Sequence, residues 1–493
     1  MGNSKTPASK QTLESLMMNT SNVIRDMYAC VISEIRSLEA MENQNANAVC
    51  ILIRQLSIAV NYSLMDIGVS VRASIASEKA YEKRFHLKNL RASISESFKL
   101  IFNFGKSRNK SIWSKLCNEL NGVDQDITNH CNGITDRLVA FGDSYIDQNL
   151  RNLTLHYDAD MMRVYEATLN INDEDQEMKV LCNYMDILQS IRYLINEVES
   201  QIDILRTDIN IDLSLGINAI VEELINKGGR LLEIVDKVID DAGGNIDSFA
   251  NMNQRFLKVR TFVEQQAPIC TPVQELDNIQ TLLNAQMLLQ FMLADLATIT
   301  KSYLNSKSEE EHKMNLRRFV VIQTSTLVHL YGYNEDEYER SIWKLLMTFL
   351  PQSDSTLIEE CNDTENLLKK LVADSEDKKE RALYVHLVDN SNSKFGVPDT
   401  IKAVDAIDPI KEITEVNLLI VIMNKVRNWL KHVMDVLSKE AHESRMKSEH
   451  QIEEQFEQML KQCSDRKLPE EQKKQMTDMI TSFRDKMMSI IKR

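Results

Sequence analysis

Glycine and proline are scarce in this chain of 493 residues. It has 13 glycines and 7 prolines, and no proline occurs between Pro7 and Pro268. Ordinary proteins contain about 12% of the two residue types together, and sheet proteins depend on them for tight turns. We therefore expect an all-α protein rather than a β-sandwich, barrel or propeller. The same shortage disfavours Rossmann and P-loop enzymes, whose phosphate-binding turns are rich in glycine.

Closely spaced cysteines and long apolar runs are also missing. The nearest two of the eight cysteines, Cys117 and Cys131, are 14 residues apart, which indicates neither a disulfide framework nor a zinc site. The longest uncharged stretch runs from Asn278 to Ala294 and contains several amide side chains. No segment therefore reaches the apolarity expected of a transmembrane helix. We expect a cytoplasmic protein with reduced thiols.

Positive charge is in the minority, with 58 Lys and Arg against 73 Asp and Glu and a formal net charge of −15. Neutralisation of phosphates supplies most non-specific affinity for nucleic acids, so an acidic chain makes nucleic acid an unlikely general partner.

Local catalytic motifs are absent as well. The sequence contains no GxGxxG, GxSxG or HExxH pattern, and the histidines are too dispersed to suggest a metal site. We expect no cofactor, no metal and no enzymatic activity, although a catalytic site assembled from distant residues stays open.

The first six residues, MGNSKT, match the N-myristoylation pattern, in which Gly2 becomes the N-terminal residue and Thr6 completes the motif. The alternative is a chance match. One myristoyl chain binds membranes only marginally, so stable attachment requires a second signal.

A basic and aromatic segment, Lys79 to Lys115, has ten basic and two acidic residues. Cations beside aromatic side chains are typical of contact with an anionic bilayer, where each nearby Lys or Arg contributes about 1 kcal/mol. Single-stranded nucleic acid uses the same combination. A third interpretation places the phenylalanines in the core and the basic face against the acidic remainder of the chain. The predicted contact residues are Lys99, Phe102, Phe104, Lys106, Arg108, Lys110, Trp113 and Lys115.

Two stretches repeat apolar residues in steps of three and four, which predicts two heptad seams of the coiled-coil kind. Each seam could pair within the chain, as in an antiparallel bundle, or with another chain. The first extends from Leu181 to Ile209 and includes Leu188, Ile191, Ile195, Val198, Ile202 and Leu205. The second extends from Val416 to Leu437 and includes Leu419, Met423, Val426 and Leu430.

The few helix breakers predict four units along the chain. Pro268 and Pro272 mark the main boundary, and Pro351 marks the next. The units are a flexible lead (1–10), a long-helix bundle that includes the basic segment (11–267), a middle helical unit (268–351) and a C-terminal helical unit (352–493). Two glycine pairs predict helix ends or hinges, Gly228–Gly229 and Gly243–Gly244.

Together these features favour a non-enzymatic structural or scaffold protein, an elongated bundle of long antiparallel helices, on the cytosolic face of a membrane. Its partners would be an anionic membrane surface and other proteins bound through the seams, including further copies of the chain. One alternative is a pore-forming protein that buries a helix such as Leu282–Ile299 until it is triggered. Another is a soluble helical regulator in which MGNSKT is accidental.

Overall fold

Helices account for nearly all of the part of the chain that a computed structural model describes. The described residues are 7–43, 47–146, 161–171, 174–202, 217–266, 273–350, 355–375, 388–389, 394–465 and 470–491. The all-α class expected from the shortage of glycine and proline is confirmed.

Five helices precede residue 147, namely α1 (Pro7–Asn43), α2 (Ala48–Ala76), α3 (Ala80–Ile101), α4 (Ile112–Leu120) and α5 (Gln125–Tyr145), with a 3₁₀ turn at Gly105–Lys110 between α3 and α4. The middle helices are α6 (Met161–Asn170), α7 (Glu174–Ile202), α8 (Ile217–Gln266), α9 (Val273–Leu304), α10 (Glu309–Leu330), α11 (Glu335–Tyr338), α12 (Ile342–Phe349) and α13 (Ser355–Asp374). A two-residue antiparallel pair, β1 (Val388–Asp389) and β2 (Lys394–Phe395), precedes α14 (Val397–Asp405), α15 (Pro409–Asp465) and α16 (Glu470–Ile491).

Side-chain caps fix where several of these helices begin. The Asn47 carboxamide oxygen accepts a hydrogen bond from the Val49 amide at 2.9 Å at the start of α2. The Ser308 hydroxyl accepts from the Glu311 amide at 3.3 Å at the start of α10. Three consecutive glutamates then occupy the first turn of α10, where the helix dipole favours negative charge.

Two apolar clusters form the core, and α3 contributes to both. The first cluster joins α1, α2, α4, α5, α7 and α14 to α3 from Leu87 onward, including Phe98. The second joins α6, α8, α9, α10, α12, α13 and α15 to Tyr81 and Phe85 near the start of α3. The second cluster also unites helices on both sides of residues 268–272, so that segment separates helices that pack together. The division of the chain into four units stays a prediction.

In the described part of the chain, two helices are long and apolar enough to span a membrane by length and composition, contrary to the expectation that no segment would be. They are Ala48–Ala76 and Asp277–Leu304, and 56% and 89% of the residues in their most apolar stretches are buried inside the protein. In both helices the apolar majority outweighs the scattered polar side chains. Residues 291–300 of α9 are all buried, which is typical of a core helix.

The glycine pairs do not end or hinge the helix that contains them, so that prediction was wrong. α8 continues through both pairs from Ile217 to Gln266. Gly243 instead faces the start of α3, where an added Cβ would lie 3.0 Å from both Cβ and Cγ of Tyr81. The missing side chain allows α3 and α8 to approach each other. An added Cβ on Gly244 would meet nothing within 4 Å.

This difference predicts opposite effects for two adjacent substitutions. Gly243→Ala should lower the free energy of unfolding by about 1–3 kcal/mol, because the helix contact must open to admit the methyl group. Gly244→Ala should raise it by about 0.5–1 kcal/mol, because alanine favours a helix interior. Urea denaturation followed by far-ultraviolet circular dichroism measures both. Equal effects of the two changes would contradict the close contact.

Candidate functional site

Much of the basic segment pairs with acidic groups on distant helices. The Lys88 ammonium lies 2.7 Å from a carboxylate oxygen of Asp295 on α9, and both side chains are buried. The Arg91 guanidinium lies 2.6 Å from Glu177 on α7, again inside the protein. Such pairs must form because an unpartnered buried charge is strongly destabilising. For α3, the arrangement matches the interpretation in which a basic face packs against the acidic remainder.

Two cations outside the middle of the basic segment also form ion pairs with acidic residues of other helices. Lys79 lies 3.0 Å from Asp240 on α8, and Arg108 lies 3.1 Å from Asp143 on α5. The Arg108 guanidinium also sits 5.3 Å from the centre of the Phe102 ring. These cations are already engaged within the chain, which reduces the positive charge presented to a partner.

The aromatic side chains of the segment belong mainly to the core. Trp113 is 0% exposed and Phe102 is 3% exposed, while Phe104 is partly buried against the same apolar cluster. The Trp113 indole donates a hydrogen bond to the Thr135 hydroxyl at 2.9 Å, which satisfies its only polar atom. Phe102 and Trp113 are therefore not placed where they could insert into a bilayer from the surface of this fold.

A sharp turn after α3 carries the chain from these aromatic residues to the remaining lysines. The amides of Phe102 and Asn103 both donate to the Phe98 carbonyl, and Asn103 adopts a φ of 65°. Asparagine tolerates this left-handed conformation at a helix C-terminus better than other residues with side chains. Its carboxamide oxygen then accepts from the Phe104 amide at 2.8 Å. The 3₁₀ turn follows directly.

Three of the predicted contact residues line one groove. Lys99, Lys110 and Lys115 surround a cavity of about 510 Å³ between α1, α3, α4 and α14. A fourth lysine, Lys402 of α14, joins them and pairs with Glu39 of α1 at 2.8 Å. We call these four side chains the lysine groove. Three carboxylates, Glu39, Glu42 and Asp399, also line it, so its formal charge is +1.

Lys402 could not have been found by sequence reasoning. It lies 287 residues beyond Lys115, in a short helix with no basic cluster of its own. Only the packing of α14 near α2 and α10 brings it to the groove.

The described residues named in the two predicted seams are buried within the chain. The described side chains of the first seam, Leu188, Ile191, Ile195 and Val198, pack in the first apolar cluster, where α7 contacts α2, α3 and α5. Those of the second seam, Val416, Leu419, Met423, Val426 and Leu430, pack in the second cluster, where α15 contacts α9 and α12. These described residues therefore pack the chain's own helices against one another.

Some predicted residues cannot be located. Gly2 and Leu205 lie outside the described residues, and the side chains of Lys106 and Ile202 are likewise not described although their backbone is helical.

The described residues bring together no group of three His, Cys, Asp or Glu side chains that could hold a metal ion. The adjacent residues His130 and Cys131 face different ways on α5, because His130 is exposed and Cys131 is buried. The imidazole pairs with Glu197 at 2.9 Å. A hydrogen bond to Cys131 and burial raise the pKa of the neighbouring Cys117 thiol, so it is not activated as a thiolate nucleophile.

No family model, curated protein or solved structure matches the chain. The functional argument therefore depends on the geometry of these side chains alone.

The position of Trp113 predicts a large structural effect of its removal. Trp113→Ala should lower the free energy of unfolding by about 3–5 kcal/mol, because it empties a fully buried site. Lys115→Ala, two residues away and exposed, should change it by less than about 0.5 kcal/mol. Chemical denaturation measures both. Unchanged stability in Trp113→Ala, together with weaker vesicle binding, would instead make Trp113 a membrane contact.

Proposed function

We propose that the protein is a non-enzymatic helical scaffold that binds the anionic cytosolic face of a membrane through the lysine groove and a myristoyl chain on Gly2. The observation that carries the proposal is the convergence of Lys99, Lys110, Lys115 and Lys402 on one open groove. Lys88 and Arg91 of the same segment are instead buried in ion pairs with Asp295 and Glu177. Lys110, Lys115 and Lys402 are exposed, so a headgroup can reach them, although Lys402 also pairs with Glu39.

Because Phe102 and Trp113 are buried, the proposed contact depends on electrostatic attraction and not on aromatic side chains inserted into the bilayer. Each lysine near an anionic leaflet contributes about 1 kcal/mol, and three carboxylates in the groove oppose that attraction. Such a surface is too weak to hold the protein alone. It is suited to act as the second signal that a single myristoyl chain requires.

The scaffold part of the proposal concerns the long helices. We propose an elongated arrangement in which successive long helices run antiparallel and the seams pack as coiled-coil-like contacts inside the chain. Because the described seam residues are covered by the chain's own helices, other proteins, including further copies, would bind elsewhere on the surface.

Pore formation receives less support. The helix around Leu282–Ile299 packs at the centre of the second cluster, and it carries Asp295 in a buried pair with Lys88. Insertion would have to break that pair and remove the central helix from the core.

Two matched triple variants test the electrostatic contact. In the full-length myristoylated protein, Lys99, Lys110 and Lys115 would be changed to Gln, and the control would change the exposed Lys370, Lys425 and Lys431. Both variants lose three charges. The groove variant should lose about 3 kcal/mol of binding to phosphatidylserine–phosphatidylcholine vesicles, roughly a 100-fold fall in the partition coefficient. The control should change little, because charges beyond a Debye length of about 10 Å are screened.

Cosedimentation with vesicles measures both partition coefficients, and intact mass of the N-terminal peptide reports acylation of Gly2. Gly2→Ala should abolish the acyl mass and the membrane-bound fraction. Equal losses in the two triple variants would reject the groove as the contact. An unmodified Gly2 with unchanged binding would reject the lipid anchor.

A further inference from the structure

A second cavity opens between helices, away from the lysine groove. It has a volume of about 250 Å³ and is lined by α2, α3, α9, α10 and the loop between α9 and α10. Most of its lining residues have polar side chains, and the argument concerns Arg72, Glu82, His86, Lys301, Lys307, Glu311 and Asn315. We call it the interhelical cavity. Its volume is below the roughly 300 Å³ typical of sites for drug-sized molecules, so it fits a smaller one.

Three residues of this wall each carry a buried polar atom without a hydrogen-bond partner. They are Nε of Arg72, Nδ1 of His86 and the carboxamide oxygen of Asn315. Buried polar atoms in folded proteins are almost always paired, so water or a small ligand in the cavity would complete the pairing of these three. No lining residue of the lysine groove has such an atom.

The neighbouring hydrogen bonds show what the unpaired atoms of His86 and Asn315 require. The Ser302 hydroxyl donates to the Thr298 carbonyl at 2.9 Å, so at its 3.2 Å contact with His86 it accepts from Nε2. The proton of the neutral imidazole is then on Nε2, and Nδ1 is an acceptor. The Asn315 amide nitrogen donates to the Ser306 hydroxyl at 2.8 Å, which leaves its oxygen as an acceptor. A ligand must offer donors to both.

Those donors must be uncharged. Burial, together with the nearby cations Arg318 and Lys301, lowers the pKa of His86 to about 3. The positive potential that opposes protonation of His86 would equally oppose an ammonium group beside it. Hydroxyl groups supply donors without that penalty.

The rest of the wall favours an anionic group on the same ligand. Arg72 pairs with Glu311 through one terminal nitrogen, and its Nε–H still requires a hydrogen-bond acceptor. The ionisable lining comprises the cations of Arg72, Lys301 and Lys307 and the carboxylates of Glu82 and Glu311, a formal charge of +1. A monoanion balances it, whereas a dianionic phosphate would add repulsion from the two carboxylates.

We propose that the interhelical cavity is a binding site for a small hydroxylated carboxylate. The carboxylate lies toward Arg72 and Lys307, and hydroxyl groups donate to His86 and Asn315. The ligand would cross-link four helices that meet in the core, which gives the scaffold a site through which a small metabolite stabilises it.

The test uses the full chain and three hydroxycarboxylates, glycerate, threonate and gluconate, in isothermal titration calorimetry. Sorbitol carries hydroxyls without a carboxylate, and butyrate carries a carboxylate without hydroxyls. At least one hydroxycarboxylate should bind and raise the melting temperature, and each of the two comparison compounds should bind at least tenfold more weakly. Absence of binding by all three would mean that the cavity holds water only, and would overturn the proposal.

Two variants connect the binding to the cavity. Arg72→Lys keeps the positive charge but removes Nε, and Asn315→Leu removes the acceptor with little change in size. Each should weaken binding of the best hydroxycarboxylate at least tenfold. Gln290→Leu is the matched control, because Gln290 is also buried with an unpaired amide oxygen but does not line the cavity. Circular dichroism establishes that the variants fold, and unchanged binding in both cavity variants would refute the assignment.

Discussion

The pairing of ionised side chains inside the helical bundle is the constraint on which the rest of the fold depends. Helices α2, α3, α9 and α10 are buried on most of their faces, so several charged residues along them lie away from water. Asp66 of α2 lies 2.7 Å from Arg318 of α10. Burial alone would raise the pKa of Asp66, but the guanidinium groups of Arg318 and Arg317 outweigh it and lower the pKa. A helix that shifted along its axis would leave such a group without a partner.

The same constraint explains which cations remain for function. Lys88 and Arg91 are held inside by Asp295 and Glu177, so the apparent charge of the basic segment is far larger than the charge it presents outside. The lysine groove lies where α3 ends and the chain turns outward. The interhelical cavity lies where the polar faces of four helices meet without filling the space. Both candidate sites are therefore consequences of burying polar helices against one another.

Local sequence patterns predicted the all-α class, because helical periodicity and the absence of breakers depend on neighbouring residues. The role of α3 could not be predicted in this way. Cations and phenylalanines at helical spacing form the same sequence pattern whether they face lipid or protein. Asp295, the carboxylate that pairs with Lys88 inside the protein, is 207 residues away in the sequence. Gly243 was wrongly predicted to end or hinge its helix for a related reason, since the residue that it approaches, Tyr81, lies on another helix. The interhelical cavity left no local signal, because its wall comes from five segments.

The most direct measurement is a double-mutant cycle on Lys88 and Asp295. Lys88→Met and Asp295→Leu should each lower the free energy of unfolding by about 3–5 kcal/mol, because each leaves one buried charge unpaired. The double variant should lose much less than the sum, because it removes both charges together. Losses that add within about 0.5 kcal/mol would show that the two groups do not interact, and would contradict the claim that buried pairs position the helices.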